Sequence, residues 1–172
     1  MGLEDYNIKI LLALTKSLSG RKDFFHWLLD AGYPELAAFS NAVRGDEEAM
    51  MWLFKNNYAW LAILSNAIDG EEKAKVWISK ALPMADLMFA LACREDISAI
   101  KWLLDRKLHL FLLMAREVHT VLDTQAAENA GPYVLHFGGN HRVANEMNKW
   151  LQSKKKNETE IPPESCSVQN DA

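Results

Sequence analysis

The sequence predicts an all-α fold, an α-solenoid of about five helix–turn–helix repeats closed by a divergent C-terminal cap. Three observations predict it. Trp27, Trp52, Trp77 and Trp102 stand 25 residues apart each time. Gly20, Gly45 and Gly70 recur on the same step, each seven residues ahead of a tryptophan. Two apolar columns keep the period through five copies: Leu14, Phe39, Leu64, Phe89, Met114, and Leu18, Val43, Ile68, Cys93, Val118. Self-similarity at a fixed period of about 20–50 residues is the signature of a stacked-repeat architecture.

The units run 8–33, 34–58, 59–83, 84–108 and 109–131, and each reads as two short helices. In the second unit Leu36, Phe39 and Val43 fall at helical spacing, with Ala38 and Ala42 beside them. Gly45 stops that helix, because glycine takes the left-handed conformation after a last turn at little cost. Asp46, Glu47 and Glu48 then put negative charge on the first turn of the next helix, where the helix dipole favours it. Ala49, Trp52 and Leu53 form its apolar stripe, Lys55 ends it, and Asn56-Asn57-Tyr58 turns the chain back. The third unit repeats the logic with Gly70, Glu71, Glu72, Ala74, Trp77 and Ile78, and in the fourth Glu95 takes the glycine's place.

The first helix of each unit is apolar on most sides, as in Trp60 to Leu64 and Leu87 to Cys93, which predicts burial between neighbours. The second helix is amphipathic and is expected outside. The tryptophans keep register with Leu28, Leu53, Ile78 and Leu103 and read as the spine of the core. Helices of about ten residues span roughly 15 Å and are too short to stand alone. Stacking must stabilise them, as in other quasi-one-dimensional folds.

The fifth unit has Ala127 where a tryptophan is due, and Gly131-Pro132 follows as a break. Tyr133 to Leu151 reads as the cap, because terminal units of an array are atypical. Residues 153–172 carry no core-forming pattern and read as a disordered tail, so the helical repeat domain with its cap is predicted to occupy 1–152.

The run from Ala42 through Gly45-Asp46-Glu47-Glu48-Ala49 to Trp52-Leu53 resembles the helix–turn–helix half of an ankyrin repeat, and Asn66 to Ile78 and Ala92 to Leu103 resemble it again. The resemblance covers about residues 8–120 and implies a protein-binding array. The unit departs from the family in length, since an ankyrin unit has about 33 residues. The missing eight match the β-hairpin finger, and the Thr-Pro-Leu-His signature is absent from every unit. The implied relative is therefore finger-less and all-helical, or a convergent αα-repeat, and no family site residue carries over.

A net charge of −4 argues against a nucleic-acid partner. Two distant cysteines, Cys93 and Cys166, argue for a reducing compartment. No run of eighteen apolar residues occurs, so a cytoplasmic protein without a membrane span is expected. The acids at second-helix starts have a structural explanation, so no catalytic residue, metal ligand or cofactor is expected. The alternatives are a small ligand-binding protein or enzyme using the His136–His141 region, and a self-assembling subunit. His136 and His141 are five apart, which does not suit a zinc pair on one helix face.

Two polar columns on the first helices form the expected recognition stripe. One runs Lys16, Asn41, Asn66, Leu91, Arg116, and the other Ser19, Arg44, Asp69, Arg94, His119. Tyr58 and Trp60 are candidate aromatic anchors, with burial the expected fate of Trp60. The function expected is a non-catalytic protein–protein interaction scaffold, monomeric or weakly self-associating, whose partner is another protein.

Overall fold

A 25-residue unit leaves room for two helices of nine to eleven residues and two tight turns, and the computed structural model shows that arrangement. It describes residues 2–129. The expected cap, the His136–His141 segment and the tail all lie outside these residues. A short 3₁₀ turn, Leu3–Asp5, leads into α1 (Ile8–Leu18) and α2 (Lys22–Asp30). There follow α3 (Pro34–Ala42), α4 (Glu47–Lys55), α5 (Ala59–Ile68), α6 (Glu72–Ala81), α7 (Met84–Ala92), α8 (Ile97–Asp105) and α9 (His109–Asn129). The described chain is all-helical.

The turns inside the units explain both the repeat and its failure. Gly20, Gly45 and Gly70 have φ of +86°, +83° and +98°, and Glu95 takes the same left-handed place at +62°. In each unit a backbone N–H just past that residue closes back onto the helix: Arg21 to Lys16, Asp46 to Asn41, Glu71 to Asn66 and Asp96 to Leu91. In the fifth unit the position falls to Thr120. A β-branched residue resists the left-handed region, so α9 runs on for 21 residues. The fifth unit is therefore a single long helix among the described residues, where two helices were expected. Gly45→Ala should cost about 1–2 kcal/mol through backbone strain. Its new methyl would meet only the far end of Gln125 at 3.5 Å, so urea unfolding reads the strain with little steric contribution.

The turns between units use the same device once more. Gly32, Asn57 and Lys107 have positive φ, and Tyr33, Tyr58 and Leu108 donate back to Leu28, Leu53 and Leu103. Pro83 has no N–H to donate, and at that junction Leu82 is extended instead.

Each odd-numbered helix is an inner one. Consecutive inner helices pack on one another, and each outer helix packs on the inner helix of its own unit and of the next. The inner layer also closes, because α9 packs against α1 as well as α7. The solenoid thus comes round on itself. Leu14, Phe39, Leu64, Phe89 and Met114 are all fully buried, as are Leu18, Ile68, Cys93 and Val118. The column of small residues, Thr15, Ser40, Ser65, Ala90 and Ala115, is buried too. Small side chains let helices approach closely, and the Ser17 and Ser40 hydroxyls meet at 2.7 Å between α1 and α3.

The tryptophan column departs from expectation. Trp52 is 9% exposed, but Trp27 and Trp77 are 46% and 42% exposed. Trp102 is half-buried, with the Arg106 guanidinium 3.8 Å from its ring centre. The spine of the outer helices is the Leu28, Leu53, Ile78, Leu103 column, which is fully buried. The tryptophans sit one position away, at the edge of the interface. Trp52 is covered because Tyr58 stacks on it, with planes 8° apart.

Candidate functional surface

The inner helices all point the same way, so their C-termini share one end of the ring. Ser19, Arg44, Asp69, Arg94 and His119 lie there, at or just beyond those termini in the first four units. The last carbonyls of a helix lack intrahelical donors, and cations near them are favoured by the dipole. Three of the five residues fill this role for the preceding unit. Arg44 Nη1 donates to Leu18 O at 3.4 Å. Arg94 Nη1 donates to Ile68 O at 3.4 Å and Asp69 O at 3.1 Å. His119 Nδ1 lies 3.2 Å from Cys93 O, and its Nε2 lies 3.3 Å from both Glu95 and Asp123.

The expected recognition stripe is therefore partly an inter-unit capping system. Asp69 breaks the pattern, since it cannot donate. Its carboxyl is held above the usual range by burial, while the Arg94 charge pulls the other way. Lys16 and Arg116 remain exposed on the same side, while Asn41 and Asn66 are half-buried. Beyond the ring α9 overhangs by about ten residues, or roughly 15 Å. Its Glu117, Thr120, Thr124 and Gln125 form a cleft of about 310 Å³ with Ser19 and Arg44.

Tyr58 does not join this group. It stands at the opposite end, where α5 begins, stacked on Trp52 and near Glu35. Trp60 is buried. That end is closed. Leu3 is fully buried, and its N–H donates to Asp86 Oδ1 at 3.0 Å. The Tyr6 hydroxyl donates to Glu35 Oε1 at 3.1 Å. Burial raises the Tyr6 hydroxyl and the Glu35 carboxyl above their usual ranges. Asp86 occupies the column of Leu11, Leu36, Leu61 and Phe111, and burial pushes its carboxyl up to about 6.

The feature that sequence reasoning missed lies on the outer face. Met51 and Phe54 on α4, with Val76 and Trp77 on α6, are exposed large apolar side chains. Met51 and Val76 are equivalent positions one repeat apart. They fall off the buried stripe of Ala49, Trp52 and Leu53, and their apolar character is the signal that was there to read. The first unit has His26 and the fourth Lys101 at the same place, so this column is apolar in the second and third units alone among the first four, although Trp27 and Leu104 are exposed in the flanking units.

Among the described residues no cluster of three or more histidine, cysteine, aspartate or glutamate side chains is placed to hold a metal ion. No described helix is long and apolar enough to cross a membrane. The chain matches no protein-family profile, no curated protein and no solved structure.

Proposed function

We propose that this chain is a non-catalytic protein–protein interaction scaffold, built from finger-less ankyrin-like helical repeats, that takes its partner on the outer face of the second and third units. The observation that carries this reading is the exposure of Met51, Phe54, Val76 and Trp77 above a core that is complete without them. Large exposed apolar patches on a folded protein mark interaction sites, and Met and Trp are residue types that interfaces favour. The partner is a protein with an apolar contact surface. A nucleic acid is disfavoured by the net charge of −4. End-to-end self-assembly is disfavoured because each inner helix already has an inner neighbour on both sides. A reducing cytoplasmic setting belongs to the same proposal, supported by Cys93, a free thiol in a fully buried core column.

The test is site-specific photo-cross-linking in the native cell. A cross-linking residue placed at Met51 or at Trp77 is expected to trap the same protein. One placed at Lys16 or Arg116 is not. Val76→Asp should abolish the trapped band while the helical spectrum stays unchanged. Trapping from Lys16 and Arg116 alone would move the interface to the polar end and overturn this placement. Charge reversal at Arg44 or Arg94 is a poor substitute, because both side chains cap a neighbouring helix.

A further inference from the structure

The packing rule of the array defines a slot that the described residues leave open. Each outer helix covers the inner helix of its own unit and the inner helix of the next: α2 lies on α1 and α3, α4 on α3 and α5, α6 on α5 and α7, α8 on α7 and α9. Because α9 closes on α1, an outer helix of the fifth unit would lie on α9 and α1. No described element occupies that place. Two separate columns register its absence. Leu12 is 44% exposed, whereas of its equivalents, each under the outer helix of the preceding unit, Ala37 and Ala62 are 0% exposed and Leu87 and Leu112 are partly buried. Leu113 is 39% exposed, whereas of its equivalents, each under the outer helix of its own unit, Ala13 and Ala38 are 4% and 0% exposed and Ile63 and Met88 are partly buried. Both leucines face one groove of about 600 Å³, which Phe24 and Trp27 of α2 also line. Its walls are mainly apolar.

We propose that the segment Val143–Leu151 of this same chain docks in this groove as the missing outer helix of the fifth unit. Three features of the chain choose this occupant. Val143, Ala144, Met147, Trp150 and Leu151 fall at i, i+1, i+4, i+7 and i+8, one apolar face at helical spacing, with Asn145, Glu146, Asn148 and Lys149 between them. The Trp150-Leu151 pair repeats the Trp52-Leu53 and Trp102-Leu103 pairs with which the other outer helices cover their neighbours. Its nine residues match the nine of α2, α4 and α8. The connection is long enough. Thirteen residues lie between Asn129 and Val143, a reach of up to roughly 45 Å. The α9 overhang they must retrace is about 15 Å. A docked segment would supply the fifth unit's second helix without the tight turn that Thr120 prevents.

Disulfide trapping in the full chain tests this. With Cys166→Ser as background, Leu12→Cys is paired with Met147→Cys, and Leu113→Cys with Met147→Cys. Leu12→Cys paired with Asn170→Cys serves as control. Under mild oxidation the Met147 pairs are expected to form an intrachain bond at least tenfold faster than the control, in a species that light scattering shows to be monomeric. In the otherwise unmodified chain, Met147→Asp with Leu151→Asp should increase radical footprinting of Leu12 and Leu113 without loss of helical signal from the ring. Disulfides formed only between chains would overturn the proposal in favour of a second copy in the groove. Equal rates for all three pairs, or footprinting unmoved by the aspartates, would overturn it outright.

Discussion

Phe89→Ala is expected to remove about 3–5 kcal/mol of stability, the range for truncating a fully buried aromatic side chain. A single domain has about 5–15 kcal/mol in all, so the variant should sit at the edge of unfolding at room temperature. Phe89 is fully buried. Its ring meets Phe111 edge-on, with centroids 6.0 Å apart and planes at 89°, so the pair ties α7 to α9, the helix that closes the ring on α1. Urea unfolding followed by helical ellipticity reads the loss. A double-mutant cycle with Phe111→Leu should return a coupling of about 0.5–1.5 kcal/mol beyond the area each ring buries. A loss under about 1 kcal/mol for Phe89→Ala would mean that α7 and α9 do not pack as described.

Asp86 should make the fold more stable in mild acid than at neutral pH. Its carboxyl is fully buried among leucine positions. One oxygen accepts from Leu3 N–H, and the other has no hydrogen-bond partner among the described residues. Burial is the main cause of its rise to about 6, and Glu4 and Asp5 add to it, while the Leu3 N–H opposes it. The folded state therefore favours the protonated acid more than the unfolded chain does. The stabilisation is complete below the unfolded value near 4 and is lost as pH rises through about 6. A rise from about 4 to about 6 corresponds to about 3 kcal/mol. Asp86→Asn keeps an acceptor for Leu3 N–H and removes the charge. It should raise stability at pH 7.5 by up to that amount and flatten the profile between pH 4 and 7. Asp86→Leu would restore the apolar column but leave the buried Leu3 N–H unpaired, at a cost of about 1–3 kcal/mol. It should therefore gain less than the asparagine. An asparagine variant with the wild-type pH profile would remove Asp86 as the source.

The helical hairpin was legible because its signals are local. A glycine two or three residues past each of the first three inner helices, an acid at the next start and an apolar stripe at helical spacing each act within a few residues, and all appear in the fold. The capping role of Arg44, Arg94 and His119 was half legible. Their column is visible in the sequence, but their acceptors lie 26 residues back, and only the stacking of units brings donor and carbonyl together. The outer apolar band was legible in residue type but its exposure was missed, since Met51 and Val76 adjoin the stripe that is truly buried.

The sequence by itself determined the unit: its length, its two helices and its left-handed turns. Tertiary structure decided what the units make together. Trp27, Trp52 and Trp77 share one column and one local pattern, yet only Trp52 is buried, because Tyr58, just ahead of α5, lies over its ring while Tyr33 turns to Tyr6 instead. Closure follows the same logic. Each unit sets one small rotation against the next, and whether five such steps bring α9 back to α1 depends on their sum. No single unit contains that sum. It is the closing of the inner ring that turns two unrelated leucines, Leu12 and Leu113, into the walls of one groove.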